Sequence, residues 1–257
     1  MRIAVVAGGW HYPSHFFRAL SAQADNMVEL FCIGHRSPDL SIVRDEKLQT
    51  IGAAEGALAD LDRTLYESFA GEGTLRGLGW DYREAPNTVG DWGFLNQWLG
   101  MLDYKLFDLI LFAHDDTFIR RRDLFTALRE RHAAEPDVLL WTNGRYPEAP
   151  LGYARGSLEV FTPALLDMLG GSIPLAETGL SREGKTDSPA GLEALSAWNA
   201  NGEPLRTFMN ECRLRVGYLS QYYRVSDYVI EGERGLLNAL GGAPWSYNAG
   251  LKALGVL

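Results

Sequence analysis

Short apolar runs and helix-period stripes alternate along the first 145 residues. Near the N-terminus, "IAVVAGG" is a β-rich run closed by glycines, and "SHFFRALSAQ" behind it sets Phe16, Phe17 and Leu20 at helical spacing. "MVELFCIG" predicts a second strand. "LADLDRTLYESFA" carries apolar residues at 58, 61, 65 and 69, a helical stripe. "GWDYREAPN" reads as a third short strand with its turn, "FLNQWLGMLDY" as a helix and "DLILFAH" as a fourth strand. "RRDLFTALRERH" then predicts a helix and "DVLLWTN" a fifth strand. Strands this apolar, alternating with helices, are covered on both faces and pair in parallel through right-handed crossovers. The expected fold is α/β, a Rossmann-like and mainly parallel sheet flanked by helices.

Beyond residue 145 the alternation loosens. "GRYPEAPLGYARGS" reads as a loop, and "SLEVFTPALLDMLGG" as a short strand running into a helix that ends at a glycine pair. "SIPLAETGLSREGKTDSPAG" is polar and rich in Gly and Pro, long enough for a functional loop. "GLEALSAWNANG" and "LRTFMNECRLRVGYLSQYY" read as helical, and the tail from "RVSDYVIEGERG" begins as a strand. No repeat or low-complexity tract divides the chain. Residues 1–257 are expected to form one unit, with a ligand-binding half over 1–145 and a C-terminal half over 146–257 that shapes a second substrate.

Composition narrows the class. With 46% hydrophobic and 22% charged residues, the chain is an ordinary globular one with ample core. A net charge of −9 disfavours a general nucleic-acid surface, although a bound cation or a local arginine cluster can still make one cleft attractive to an anion. The two cysteines, Cys32 and Cys212, have no metal-site spacing and read as reduced, packed thiols. The N-terminal apolar run is too short for a signal segment or a membrane span, so a cytoplasmic protein is expected.

Candidate chemistry concentrates in "LILFAHDDTFI", residues 109–119, where an apolar strand runs into His114, Asp115 and Asp116. In open parallel sheets, ligands bind beyond the carboxyl ends of strands. Two adjacent carboxylates repel each other, and a hard divalent cation such as Mg2+ or Mn2+, shared with substrate phosphates, relieves that repulsion. The plainer reading makes Asp116 a helix cap and Asp115 a solvated turn residue. His114 has no assigned role. His11 and His15 have a spacing that can bind metal on one helix face, but Pro13 between them favours a helix entry.

A second cluster, "NTVGDWGFLNQW", lies one helix before this strand and spaces Asn87, Gly90, Gly93 and Asn96. The order of "IAVVAGG", "APNTVGDWGFLNQW" and "LILFAHDDTFI" resembles the family-2-like glycosyltransferases of the GT-A fold, with HDD as a variant of their D-x-D motif. The resemblance covers residues 1 to 130 by order and spacing, and runs more loosely to about 220. It implies transfer of a sugar from a nucleoside-diphosphate sugar to a glycan or other hydroxyl acceptor, with inversion and with Mn2+ or Mg2+. It makes Asp116 the metal ligand and Asp115 its partner or a ribose contact. Asn87, Gly90 and Asn96 then flank the donor, and Gly8, Gly9 and Trp10 lie at base and ribose. Trp10 is a stacking platform or ordinary packing, and Asp39 a base-recognising carboxylate or a plain turn residue.

The resemblance also calls for a base on the acceptor hydroxyl. Glu211 stands at a similar distance downstream, with Glu159 and Glu177 as competitors, and its plainer reading is a surface pair with Arg215 at i+4. Arg155, Arg213, Arg224 and Arg234 are candidates to balance a diphosphate, or solvated surface residues. One departure from the family is the absence of a late histidine as a further metal ligand, since the last histidine is His132. Trp92, Phe94 and Trp98 are expected in the core, with Trp141 or Tyr146 open to stacking on an acceptor. The competing functions are a catalytically silent nucleotide- or sugar-binding module and a nucleotidyltransferase, although the latter's G-G-x-G-x-R loop is not matched by "AGGWHYPSHF".

Overall fold

The computed structural model describes residues 1–35, 38, 68–86, 91–115, 117–119, 122–145, 153–174, 203–218 and 223–224. In chain order these form β1 (Ile3–Gly9), α1 (Ser14–Ser21), β2 (Val28–Gly34), α2 (Glu72–Gly77), β3 (Trp80–Glu84), α3 (Asp91–Met101), β4 (Leu109–His114) and β5 (Thr117–Phe118). There follow α4 (Leu124–Ala134), β6 (Leu140–Arg145), β7 (Tyr153–Phe161), α5 (Pro163–Met168), α6 (Glu203–Glu211), β8 (Val216–Tyr218) and β9 (Tyr223–Arg224). The expected helix over 58–70 lies almost entirely outside the described residues. Among the described residues, no helix is long and apolar enough to cross a membrane.

Seven strands form one sheet in the order β3-β2-β1-β4-β7-β6-β8. All neighbours pair in parallel except β7, which runs antiparallel to both β4 and β6. The α/β, mainly parallel architecture expected from the sequence is therefore present. Apolar residues alternate between two cores. Ile3, Val5, Ala7, Leu109, Leu111 and Ala113 pack with α1, α2 and α4 on one face. Ala4, Val6, Ile110 and Phe112 pack with α3, α5 and α6 on the other. Cover on both faces explains why β1 and β4 are buried at every position and read as unbroken apolar runs.

Two expectations are corrected. The stretch 153–157, read as loop, belongs to β7. Residues 146–152 are too few for the crossover of about a dozen residues that a parallel return needs, so the chain doubles back antiparallel. The stretch 205–223, read as helix, is α6 followed by β8 and β9. Arg213 takes a left-handed φ of 53°, and Leu214 N–H reaches back to the Met209 carbonyl at 2.9 Å. This is a Schellman-type stop, and it ends the helix before β8. By contrast, α5 follows a strand and ends at the glycine pair, as its sequence predicts. Thr162 caps it by accepting from Leu165 N–H at 3.2 Å, and Gly170 and Gly171 follow at φ 75° and 85°.

Candidate active site

The strand order reverses between β1 and β4. From β1 the chain winds outward through β2 and β3, and β4 opens the opposite half of the sheet. A crevice at such a switch point, beyond the carboxyl ends of the strands, is where doubly wound folds bind ligands. Here Gly8 of β1 pairs with His114 of β4, and Asp115 and Asp116 follow directly.

Asp115 is buried, at 2% exposure, and its Oδ2 accepts from the backbone N–H groups of Trp10 (2.8 Å), His11 (2.7 Å) and Tyr12 (2.7 Å). Three successive amides converging on one oxygen form an anion nest, filled from within the protein. Tyr12 closes that turn with φ 53°, a conformation uncommon for an aromatic residue. Its ring is fully buried and lies 6.4 Å from Phe17 and 6.3 Å from Tyr82, centroid to centroid. Burial, reinforced by the neighbouring Cys32 and Tyr82, pushes the Tyr12 hydroxyl far above its usual range. Burial also raises the Cys32 thiol, as does the Asp115 charge, and both groups stay neutral near physiological pH. Cys32 is thus a packed thiol as expected, whereas Cys212 is exposed.

On the other face of β1, a methyl group at Gly8 would stand 2.7 Å from Phe94 Cδ2, so glycine is required by the approach of the α3 ring. His35 stacks on Phe94 with centroids 3.6 Å apart, and its Nε2 lies 2.7 Å from Gln97 Oε1. At Gly9 the close neighbours are the Tyr12 ring (2.7 Å) and Cys32 Sγ (3.0 Å). Trp10 is half-buried.

The remaining predicted residues divide by position. Asn96 is engaged on the backbone of Ile173: its Nδ2 donates to the carbonyl at 2.9 Å and its Oδ1 accepts from the N–H at 2.7 Å. That exchange ties α3 to the segment after α5. Asp39, Asn87, Gly90, Asp116, Tyr146, Glu177 and Arg234 lie outside the described residues. His11 precedes Pro13 and His15 sits in the first turn of α1, so the two do not share a helix face. Trp92, Phe94 and Trp98 are buried in the α3 core, as expected. Trp141 is also buried, at 1% exposure, against His132 and Gly217, which corrects its reading as a stacking platform.

Glu211 is corrected on topology. It ends α6, which leads into the start of β8, and β8 runs parallel to β6 and hence to β4. Glu211 therefore lies toward the amino ends of these strands, a strand length of about 17–20 Å from the Asp115 end. Its proposed partner Arg215 instead binds Asp137 (3.0 Å) and Glu135 (2.6 Å), both just before β6. Arg213 belongs to the same end. Glu159 is fully buried on β7 and accepts from the Trp92 indole N–H at 2.9 Å.

The pairing of β5 with β9 supplies what sequence spacing did not reveal. It sets Arg224 opposite Thr117, one position past Asp116, although the two residues are more than a hundred apart in the chain. Arg155 on β7 also falls at this end, beyond the Ala113–Leu158 pair. Among the described residues, no three of His, Cys, Asp and Glu converge to hold a metal ion. A Mg2+ or Mn2+ site completed by substrate phosphates needs only one or two carboxylates; of the two adjacent aspartates, Asp115 is already engaged by backbone amides.

No protein-family model and no curated protein sequence matches the chain. Solved structures resemble it in fold. One is S. aureus TarS 1–349, at 16% identity over 99% of this chain and 69% of that one, with a TM-score of 0.45. This chain spans only 42% of a second, longer TarS structure. Another is glucosyl-3-phosphoglycerate synthase from Mycobacterium tuberculosis in complex with Mn2+, uridine diphosphate and phosphoglyceric acid, at 13% identity over 95% of this chain and 80% of that one, with a TM-score of 0.49. A third is CMP:2-keto-3-deoxy-manno-octonic acid synthetase complexed with CTP, at 9% identity over 85% and 89% of the two chains, with a TM-score of 0.44.

Proposed function

We propose that the protein is a GT-A-type glycosyltransferase that moves a sugar from a nucleoside-diphosphate sugar to an acceptor hydroxyl, with inversion and with Mn2+ or Mg2+ bound at Asp116. The observation that carries this reading is the occupied nest at the first turn. In folds that cradle phosphates on the first βα turn, the turn amides face the ligand. Here the amides of Trp10, His11 and Tyr12 already face Asp115. A bound diphosphate must find its counter-charge elsewhere in the same crevice, and the next residue in the chain is a second aspartate.

The same observation disfavours a nucleotidyltransferase, which relies on that turn for its phosphates. Asp116 would hold the divalent ion, which when bound would supply Lewis-acid stabilisation of the leaving diphosphate. The chain's own residues do the rest. Gly8 and Gly9 keep the end of β1 bare of side chains, and Arg224, beside Thr117, adds positive charge for the leaving group. With Glu211 at the opposite end of the sheet and Glu159 bound to Trp92, Glu177 is the remaining one of the three candidate bases for the acceptor hydroxyl.

Calorimetric titration with UDP and GDP, each with and without Mn2+, tests the reading. Metal-dependent binding of one of them is expected, and no binding of either overturns it. A donor-hydrolysis screen across nucleotide sugars then separates a working enzyme from a silent binding module.

A further inference from the structure

We propose that Asp115 is a positioning residue rather than a metal ligand: it locks the 10–12 turn as a preformed wall of the donor site, and leaves the metal to Asp116. This rests on the transferase reading for the identity of the ligand, while the lock itself stands on geometry. A single oxygen of a buried carboxylate gathers three consecutive amides from a turn over a hundred residues away in sequence. Tyr12 is held there in a left-handed conformation that persists only where the surroundings over-determine it. Its ring leaves no room for a side chain at Gly9 or Gly34, where an added methyl group would stand 2.7 Å and 2.5 Å from its atoms. The carboxylate thus sets the path of the turn, and the turn anchors the Tyr12 ring in the core behind the carboxyl end of β1. The Asp115 carboxylate is committed to the fold of the turn, through three amides of its own chain.

The test is amide hydrogen exchange on the full chain without ligand, comparing wild type with Asp115→Ala, Asp115→Asn and Asp116→Ala. In Asp115→Ala, exchange at Trp10, His11 and Tyr12 is expected to rise about ten- to a hundredfold relative to β1 amides, the range set by losing hydrogen bonds to a charged acceptor. Asp115→Asn, which keeps an accepting oxygen, restores most of that protection, and Asp116→Ala leaves it unchanged. In Mn2+–UDP titrations, Asp115→Ala weakens UDP about tenfold but retains the Mn2+ requirement, whereas Asp116→Ala abolishes Mn2+-dependent binding. Unchanged exchange at residues 10–12 in Asp115→Ala overturns the lock, as does loss of the Mn2+ requirement in that variant. If Asp115→Ala fails to fold, Asp115→Asn decides: exchange at residues 10–12 modestly faster than in wild type, from the weaker neutral acceptor, supports the lock, and exchange equal to wild type overturns it. If wild type binds no UDP with Mn2+, the transferase reading fails, and the exchange data still decide the lock.

Discussion

The indole N–H of Trp92 donates to the Glu159 carboxylate at 2.9 Å, joining α3 to the antiparallel strand β7 in the middle of the protein. Both side chains are buried, and Glu159 stands opposite Phe112 on β4 and Thr142 on β6. The bond fixes the helix that follows the Asn87–Gly90 segment against the half of the sheet that carries the aspartates. Trp92→Phe keeps most of the apolar volume and removes the donor from a buried acceptor. It is expected to lower stability by about 1–3 kcal/mol, read from urea denaturation.

The Gly8 contact predicts a steric phenotype. The Phe94 ring that would meet a new methyl group at 2.7 Å is itself stacked under His35, so it has little room to retreat. Gly8→Ala is expected to cost about 1–3 kcal/mol, the usual range for overpacking, and to weaken UDP binding along with it. Thermal melts and titrations on the same preparation check both effects.

A different prediction follows from the move of Glu211 away from the site. Glu211→Ala changes an exposed residue at the far end of the sheet, and is expected to leave kcat unchanged and stability within about 0.5 kcal/mol. Asp116→Ala abolishes turnover. Arg224→Ala raises the donor KM about tenfold, on the order of one charge-assisted hydrogen bond. Steady-state kinetics on the three variants distinguish these roles.

Acid sensitivity has one surface contributor with a defined window. The Arg129 guanidinium forks onto Asp25 at 2.6 and 2.9 Å and holds its carboxyl down at about 2, assisted by the Met27 N–H. A carboxylate depressed in the folded state stabilises the protein above its unfolded value of about 3.9. That contribution is lost as pH falls from about 4 to about 2. The Asp25 side chain is 48% exposed, so solvent screening keeps the effect under about 1 kcal/mol. Asp25→Asn should lower stability by under about 1 kcal/mol above pH 4 and make no difference near pH 2, which flattens the acid limb of the stability curve in that window.

The sheet was legible because burial on both faces leaves an unambiguous mark. β1 and β4 each read as an uninterrupted apolar run and are neighbours in the interior of the sheet, and β2 beside them is broken only by Glu29. The α5 cap and its glycine pair were legible for a local reason, since Thr162, Pro163, Gly170 and Gly171 act on their own neighbours. The left-handed Arg213 was not, because nothing in the residue type announces that conformation. The shortness of the 146–152 connection did carry a usable signal for the antiparallel β7, since seven residues that include two prolines and a glycine cannot supply a crossover helix. Position along the chain misled most at Glu211. Its distance from Asp116 in sequence suits a base, but direction through the sheet decides which end a residue occupies. The Asp115 nest was hidden for a similar reason: its three partners lie on a turn more than a hundred residues upstream.

The most direct measurement is Mn2+-dependent UDP or GDP binding by calorimetry, in wild type and Asp116→Ala on the same day and buffer. The account predicts that wild type binds one of the two nucleotides only with the metal, and that Asp116→Ala loses this dependence. Absence of metal-dependent binding in wild type, or its survival in Asp116→Ala, would contradict it.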